Sequence, residues 1–204
     1  MSPTTISDPI TEPSLATKVT NFVIFQVSWF ICVLSGAGGR PWIALAAMAL
    51  VVAWHLSRAP RPLPELVLLG AAAVIGALWD GFLAGGGWLI YPSGRFAEWL
   101  APNWIIAMWV GFATTLNVSL RWLHGRYGLA MLLGALGGPI AFLAGSRLGG
   151  VSFPEPISAL VLLAVGWSLI TPLFFWLATR LDGYVKTPER RIPERPATEA
   201  GNYV

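Results

Sequence analysis

Residues Phe112 to Trp122, FATTLNVSLRW, decide how this chain must fold. They close a long apolar stretch, yet they place two Thr, an Asn, a Ser and an Arg within it. In water such a segment is an ordinary helix end. In hydrocarbon every one of those polar groups has to find a partner inside the protein. The reading therefore turns on the medium.

Composition settles that point. The chain has 204 residues, of which 55% are hydrophobic and only 11% charged. Its mean hydropathy is +0.65. A soluble domain carries about a quarter charged residues, so this chain has too little polar surface to keep a compact globule in water. A single-domain, multi-pass membrane protein is expected. Eleven tryptophans fit the same solvent. Trp42, Trp88, Trp99, Trp104 and Trp122 stand near the ends of apolar runs, where an indole's apolar body and single N–H suit the headgroup boundary. The one cysteine, Cys32, excludes an internal disulfide and a multi-cysteine metal site. The net charge of +3 is scattered between apolar runs. That distribution argues against a nucleic-acid partner and turns the cations into a topology signal.

Outward from the opening stretch, six apolar segments are read near residues 20–38, 41–57, 65–90, 102–120, 127–146 and 157–179. None alternates as a strand would, and backbone groups in lipid must be satisfied within the segment, so all are helices. The expected fold is an all-α membrane protein of six transmembrane helices. Pro41, Pro64, Pro102 and Pro154 or Pro156 stand at or just before segment starts, where a missing N–H costs least. With the N-terminus inside, the inner side holds ten cations and the outer side three, Arg40, Arg95 and Arg147. That bias predicts both termini in the cytoplasm. Residues 1–18 read as a disordered N-terminal tail, 19–181 as the membrane domain and 182–204 as a disordered cytoplasmic tail. Ser35-Gly36-Ala37 has the small-x-small look of a signal cleavage site, but no basic start precedes it, so cleavage is not expected. Asn21-Phe22-Val23-Ile24 echoes Asn103-Trp104-Ile105-Ile106, a weak hint of a 3+3 inverted repeat.

On the fourth helix Thr114, Asn117, Arg121 and His124 are spaced by 3, 4 and 3, so they share one face. Asn117 lies roughly 21 Å along from Asn103, towards the cytoplasmic side. Asn21, Gln26 and His55 are expected at matching depth, and together these residues are candidates for a cytoplasm-facing binding pocket. The competing reading is structural, because amides and hydroxyls also tie helices together. Asp80 is the other intramembrane charge. An unpaired carboxylate costs about 3 kcal/mol there, and Arg147 is the expected partner, with the two as candidate catalytic residues. Gly134, Gly137, Gly138, Ala141 and Gly145 give the fifth helix a small-residue face, with Pro139 inside it. Only two histidines are present. No nucleophile elbow, dinucleotide fingerprint or P-loop occurs, so neither a metal nor a cofactor is expected.

The ordered motifs Asn21-Phe22-Val23-Ile24-Phe25-Gln26, Trp79-Asp80-Gly81, Ala113-Thr114-Thr115-Leu116-Asn117, Gly137-Gly138-Pro139 and Ala144-Gly145-Ser146-Arg147 resemble an uncharacterised family of bacterial inner-membrane proteins, domain of unknown function 2878. The resemblance covers about residues 20 to 180 and implies no established activity. Where the family pattern is expected to carry His after Asn117, this chain has Val118, which counts further against a metal. Three functions are left open: a small transporter or lipid-associated factor with a polar intramembrane cavity, an intramembrane enzyme acting on a hydrophobic substrate, and a structural subunit. Membrane lipids are the expected partners, with other membrane proteins or a second copy of the chain besides.

Overall fold

The computed structural model describes residues 12–97 and 99–185. Six α-helices make up the bundle: α1 (Leu15–Ala37), α2 (Pro41–Arg58), α3 (Pro62–Gly85), α4 (Asn103–Leu116), α5 (Tyr127–Arg147) and α6 (Pro156–Arg180). Five of them are long and apolar enough to cross a membrane. Their outer faces are apolar too, with Leu50 74% and Ile157 81% exposed. Such a surface is stable against acyl chains and would aggregate in water. This is a multi-pass membrane protein.

Local signals account for the helix starts. Pro41, Pro62 and Pro156 occupy the first turns of α2, α3 and α6. Ser14 caps α1, its Oγ accepting from the Thr17 amide at 3.2 Å. That cap corrects the expected boundary of the N-terminal tail, because the helix begins at the capping hydroxyl and not at the first apolar run. The C-terminal tail also starts later than expected, since Gly183 and Tyr184 dock onto the bundle. The remaining expected tail residues, 1–11 and 186–204, lie outside the described residues.

The larger correction concerns α4. A span over 102–120 was expected, but the helix has 14 residues and stops at Leu116. At 1.5 Å per residue it is about 21 Å long, short of a 30 Å hydrocarbon core. It is nevertheless the centre of the fold, packed against α1, α2 and α3. Non-helical chain makes up the length at both ends. Before α4, Tyr91 and Ala101 are buried and the Trp99–Ala101 backbone lies against Gly81 of α3. After it, residues 117–120 turn into a short 3₁₀ segment, Arg121–Leu123. Trp104, expected as an interface anchor, is 1% exposed and belongs to the core. Its ring covers Gly36 and its Nε1 donates to the Ser93 carbonyl at 3.1 Å. Trp42, Trp99 and Trp122 are exposed near helix ends, as an interfacial role requires.

Helix α5 packs chiefly on α6, and this hairpin touches the rest of the bundle through α3 and α4. Glycines set the close approaches. A Cβ at Gly76 would overlap the Trp109 ring, and one at Gly166 the Trp79 ring. Gly76→Ala should therefore separate α3 from α4 and cost about 1–3 kcal/mol. Gly70→Ala, on the same helix with nothing near its Cβ, should leave stability unchanged or raise it slightly. Thermal unfolding of the two variants in detergent checks this.

Candidate functional site

Polar clusters and a cavity bear on function, and the first cluster answers what the polar residues after Phe112 are for. A helix leaves its last four carbonyls without intrahelical partners, and in hydrocarbon each costs several kcal/mol. The Thr114 carbonyl accepts from Asn21 Nδ2 at 3.1 Å. The Thr115 carbonyl accepts from the amides of Val118 and Leu120. His124 Nε2 donates to the Leu116 carbonyl at 3.0 Å, and Arg121 to the Asn117 carbonyl at 3.3 Å. Asn21 Oδ1 in turn accepts from Ser119 Oγ at 2.7 Å. Burial, and then the Arg121 cation beside it, holds the His124 imidazole below its ordinary pKa. That favours the neutral form, in which the hydrogen bond to the carbonyl puts the one ring N–H on Nε2.

The second feature is a closed cluster next to this cap. Glu65 and His55 are both fully buried. Glu65 Oε2 lies 2.8 Å from His55 Nε2. Its Oε1 accepts from Asn117 Nδ2 and from the Gly183 amide, each at 2.7 Å. Tyr184 covers His55, donating to its carbonyl at 3.0 Å, and Arg121 pairs with Asp182 at 2.6 Å. Glu65 thus ties together α2, α3, the end of α4 and the segment after α6.

At the opposite end Asp80 has partners other than the expected Arg147. Tyr91 donates its hydroxyl to Oδ1 and Trp109 its indole N–H to Oδ2, each at 2.6 Å. The physical reason is access. Gly76, one turn before Asp80, leaves room for Trp109 to lie flat on α3, and the buried loop brings Tyr91 over the carboxyl. No ion pair between Asp80 and Arg147 occurs among the described residues.

A cavity of about 540 Å³ lies between α1, α4, α5 and α6, within the roughly 300–1,000 Å³ range of small-molecule sites. Trp29, Met108, Trp109, Phe112, Trp167 and Phe175 furnish much of its wall, and the glycine face of α5 makes one side. It is apolar, which corrects the expected polar pocket. Of the expected site residues Gln26 and Asp80 line it, the latter together with Tyr91. Asn21, Thr114, Asn117, Arg121 and His124 converge on the end of α4, and His55 reaches them through Glu65. At one end Gly150 approaches Val33, where Ile90 and Ser152 exchange backbone hydrogen bonds, and towards the other Leu120 and Leu123 line the wall. Helices α1 and α5, which flank the cavity, barely touch one another, and Phe30 and Ile140 of its wall remain 49% and 63% exposed.

Comparison with known proteins adds one decisive match. A family described as a protein of unknown function (DUF2878) matches residues 18–173. The chain belongs to the DUF2878 family. Neither a curated protein nor a solved structure matches it. The matched span of the DUF2878 chain takes in both polar clusters except the segment after α6, together with most of the cavity wall.

Sequence reasoning passed over Glu65, Tyr91, Trp109 and Tyr184. Glu65 had a visible signal, because only ten acidic residues exist and this one stands at the head of an apolar run. Standing at the first position of the expected third segment, it was passed over with the segment boundary. Tyr91, Trp109 and Tyr184 are aromatic in an aromatic-rich chain, and nothing local marks them.

Removing the Glu65 carboxylate strands an imidazole, an amide and a backbone N–H in a dry interior. Glu65→Ala should cost about 3 kcal/mol or more. Combined with His55→Phe it should cost less than the sum of the two single changes. Unfolding in a denaturing detergent series reads both.

Proposed function

We propose that this protein is a lipid-associated membrane factor that takes an apolar molecule sideways from the bilayer and holds it against α4. The cleft carries this reading. It is mostly apolar and aromatic-lined, shut by Gly150 against Val33 at one end, and flanked by α1 and α5, which barely touch. A pore for polar solutes needs the reverse arrangement, open at its ends and lined by polar groups.

Orientation belongs to the same proposal. Asn21 near the start of α1 and the Leu181 carbonyl after α6 both meet the end of α4, so the two ends of the described chain share one face. Lys18, Arg58, Arg61, Arg121, Arg126 and Arg180 lie towards that face, and Arg40, Arg95 and Arg147 towards the other. The bias supports a cytoplasmic face for the chain ends in a bacterial inner membrane. The polar clusters support a structural part in this function. Both Asp80 oxygens and both Glu65 oxygens are already engaged inside the protein, so binding is favoured over acid–base catalysis.

Gly137 supplies the test. It lines the cleft, and a Cβ there meets nothing within 4 Å, so a large side chain can enter the space without displacing a helix. With purified protein in detergent, 1-bromododecane should quench tryptophan fluorescence saturably through Trp29, Trp109 and Trp167. Gly137→Phe should keep the unfolding temperature and lose the saturable component. Quenching that rises linearly and identically in both proteins would contradict the proposal.

A further inference from the structure

Gln26 lines the cleft but takes no part in the polar clusters, and its place in the membrane is a costly one. It stands eleven residues after Leu15 and eleven before Ala37. At 1.5 Å per residue that is roughly 16 Å from each end of α1, the middle of the hydrocarbon. Long Lys and Arg stems near helix ends carry their polar heads to the interface. A glutamine at mid-span has no such route. Its side chain is exposed, and among the described residues it has no hydrogen-bond partner. An amide carried into hydrocarbon without a partner costs several kcal/mol.

Helix packing within the chain does not account for it. The buried face of α1 runs through Asn21, Ser28, Cys32 and Gly36, whereas Gln26 shares a stripe with Phe22 and Phe30, both exposed. On the other flank of the cleft, Gly137 is ten residues from each end of α5. A Cβ there would meet nothing within 4 Å, so the cleft keeps room at the depth of the amide. Asp80 and Tyr91, which also line the cleft, are bonded to each other. Trp167 Nε1 and Thr171 Oγ1 of its wall are sealed from it. The amide of Gln26 is accessible, and its partner has to arrive with an occupant.

The amide's own chemistry narrows that occupant. It offers a donor, Nε2–H, and an acceptor, Oε1, side by side. A charged group at this depth is expensive without a counter-charge, and a carboxyl fits only after taking up a proton. A ketone or ester carbonyl meets the donor and leaves Oε1 bare. An alcohol hydroxyl accepts from Nε2 and donates to Oε1, so it meets both. Resting on the reading of the cleft as a lateral binding site, we infer that Gln26 selects its occupant, a long-chain lipid alcohol. The hydroxyl pairs with the Gln26 amide at mid-membrane depth, and the chain lies along the aromatic wall.

The experiment displaces 1-bromododecane from the purified full chain in detergent and follows the recovery of tryptophan fluorescence. The competitors are 1-dodecanol, tridecane, 2-tridecanone and lauric acid. Against tridecane, 1-dodecanol should be favoured about tenfold more by the unaltered chain than by Gln26→Met, as two neutral hydrogen bonds allow. Each probe partitions into detergent alike for both proteins, so their comparison isolates the amide. Gln26→Met, close in shape and apolar, should leave displacement by tridecane unchanged and keep or raise the unfolding temperature. An unchanged preference in the variant overturns the assignment of Gln26 and leaves the cleft reading intact. Displacement by 2-tridecanone or lauric acid as strong as by 1-dodecanol overturns the hydroxyl assignment alone. A lower unfolding temperature for Gln26→Met, or a native mass of two chains that falls to one in that variant, also overturns the inference. The amide would then pair within the protein or with a second copy. If 1-bromododecane fails to saturate on the unaltered chain, the cleft reading itself falls, and this inference with it.

Discussion

The orphan carbonyls at the end of α4 set the terms for the rest of the structure. In water they would be solvated and of little consequence. In a bilayer each needs a donor from the protein, and four of them end together beside α1, α3 and the segment after α6. Asn21, Arg121 and His124 are the side chains that supply those donors. What looks in sequence like a costly polar stripe is the set of groups that makes a 14-residue central helix possible.

A short α4 has consequences for packing. Because it does not reach across the bilayer alone, the chain on either side of it folds inward and brings Tyr91 to Asp80 and Asn117 to Glu65. The two clusters pin opposite ends of α3 against α4. The α5–α6 hairpin supplies no side chain to either cluster and joins the core through α6, whose Leu163, Phe174 and Phe175 are buried; the space between α5 and α1 is the cleft. Rigid polar ends and a loosely filled apolar middle follow from the same short helix.

Much of this was legible in the chain itself. Hydropathy located all six helices, because a lipid-facing surface needs apolar residues over a full span. Spacing put Thr114, Asn117, Arg121 and His124 on one face of a helix, but α4 ends at Leu116, so only Thr114 is on it and the other three meet its end from the turn and 3₁₀ segment that follow. The choice between a pocket and a helix cap depended on where α4 stops. That endpoint was hidden, because Val118 and Leu120 continue the apolar pattern while their amides already turn back to Thr115. Asp80 was found as a buried charge, but its partners are an indole and a phenol, and charge complementarity alone points to arginine. Glu65 and the segment after α6 were missed for a related reason. A contact between residues 65 and 183 leaves no trace in local sequence.

Amide hydrogen exchange of the protein in lipid nanodiscs tests the central claim most directly. If the cap is as described, the amides of Val118, Ser119, Leu120 and Gly183, which lie outside any α-helix, should exchange as slowly as those within α4. Exchange of these amides at the rate of an unprotected loop would mean that water reaches the end of α4, and the account would be wrong.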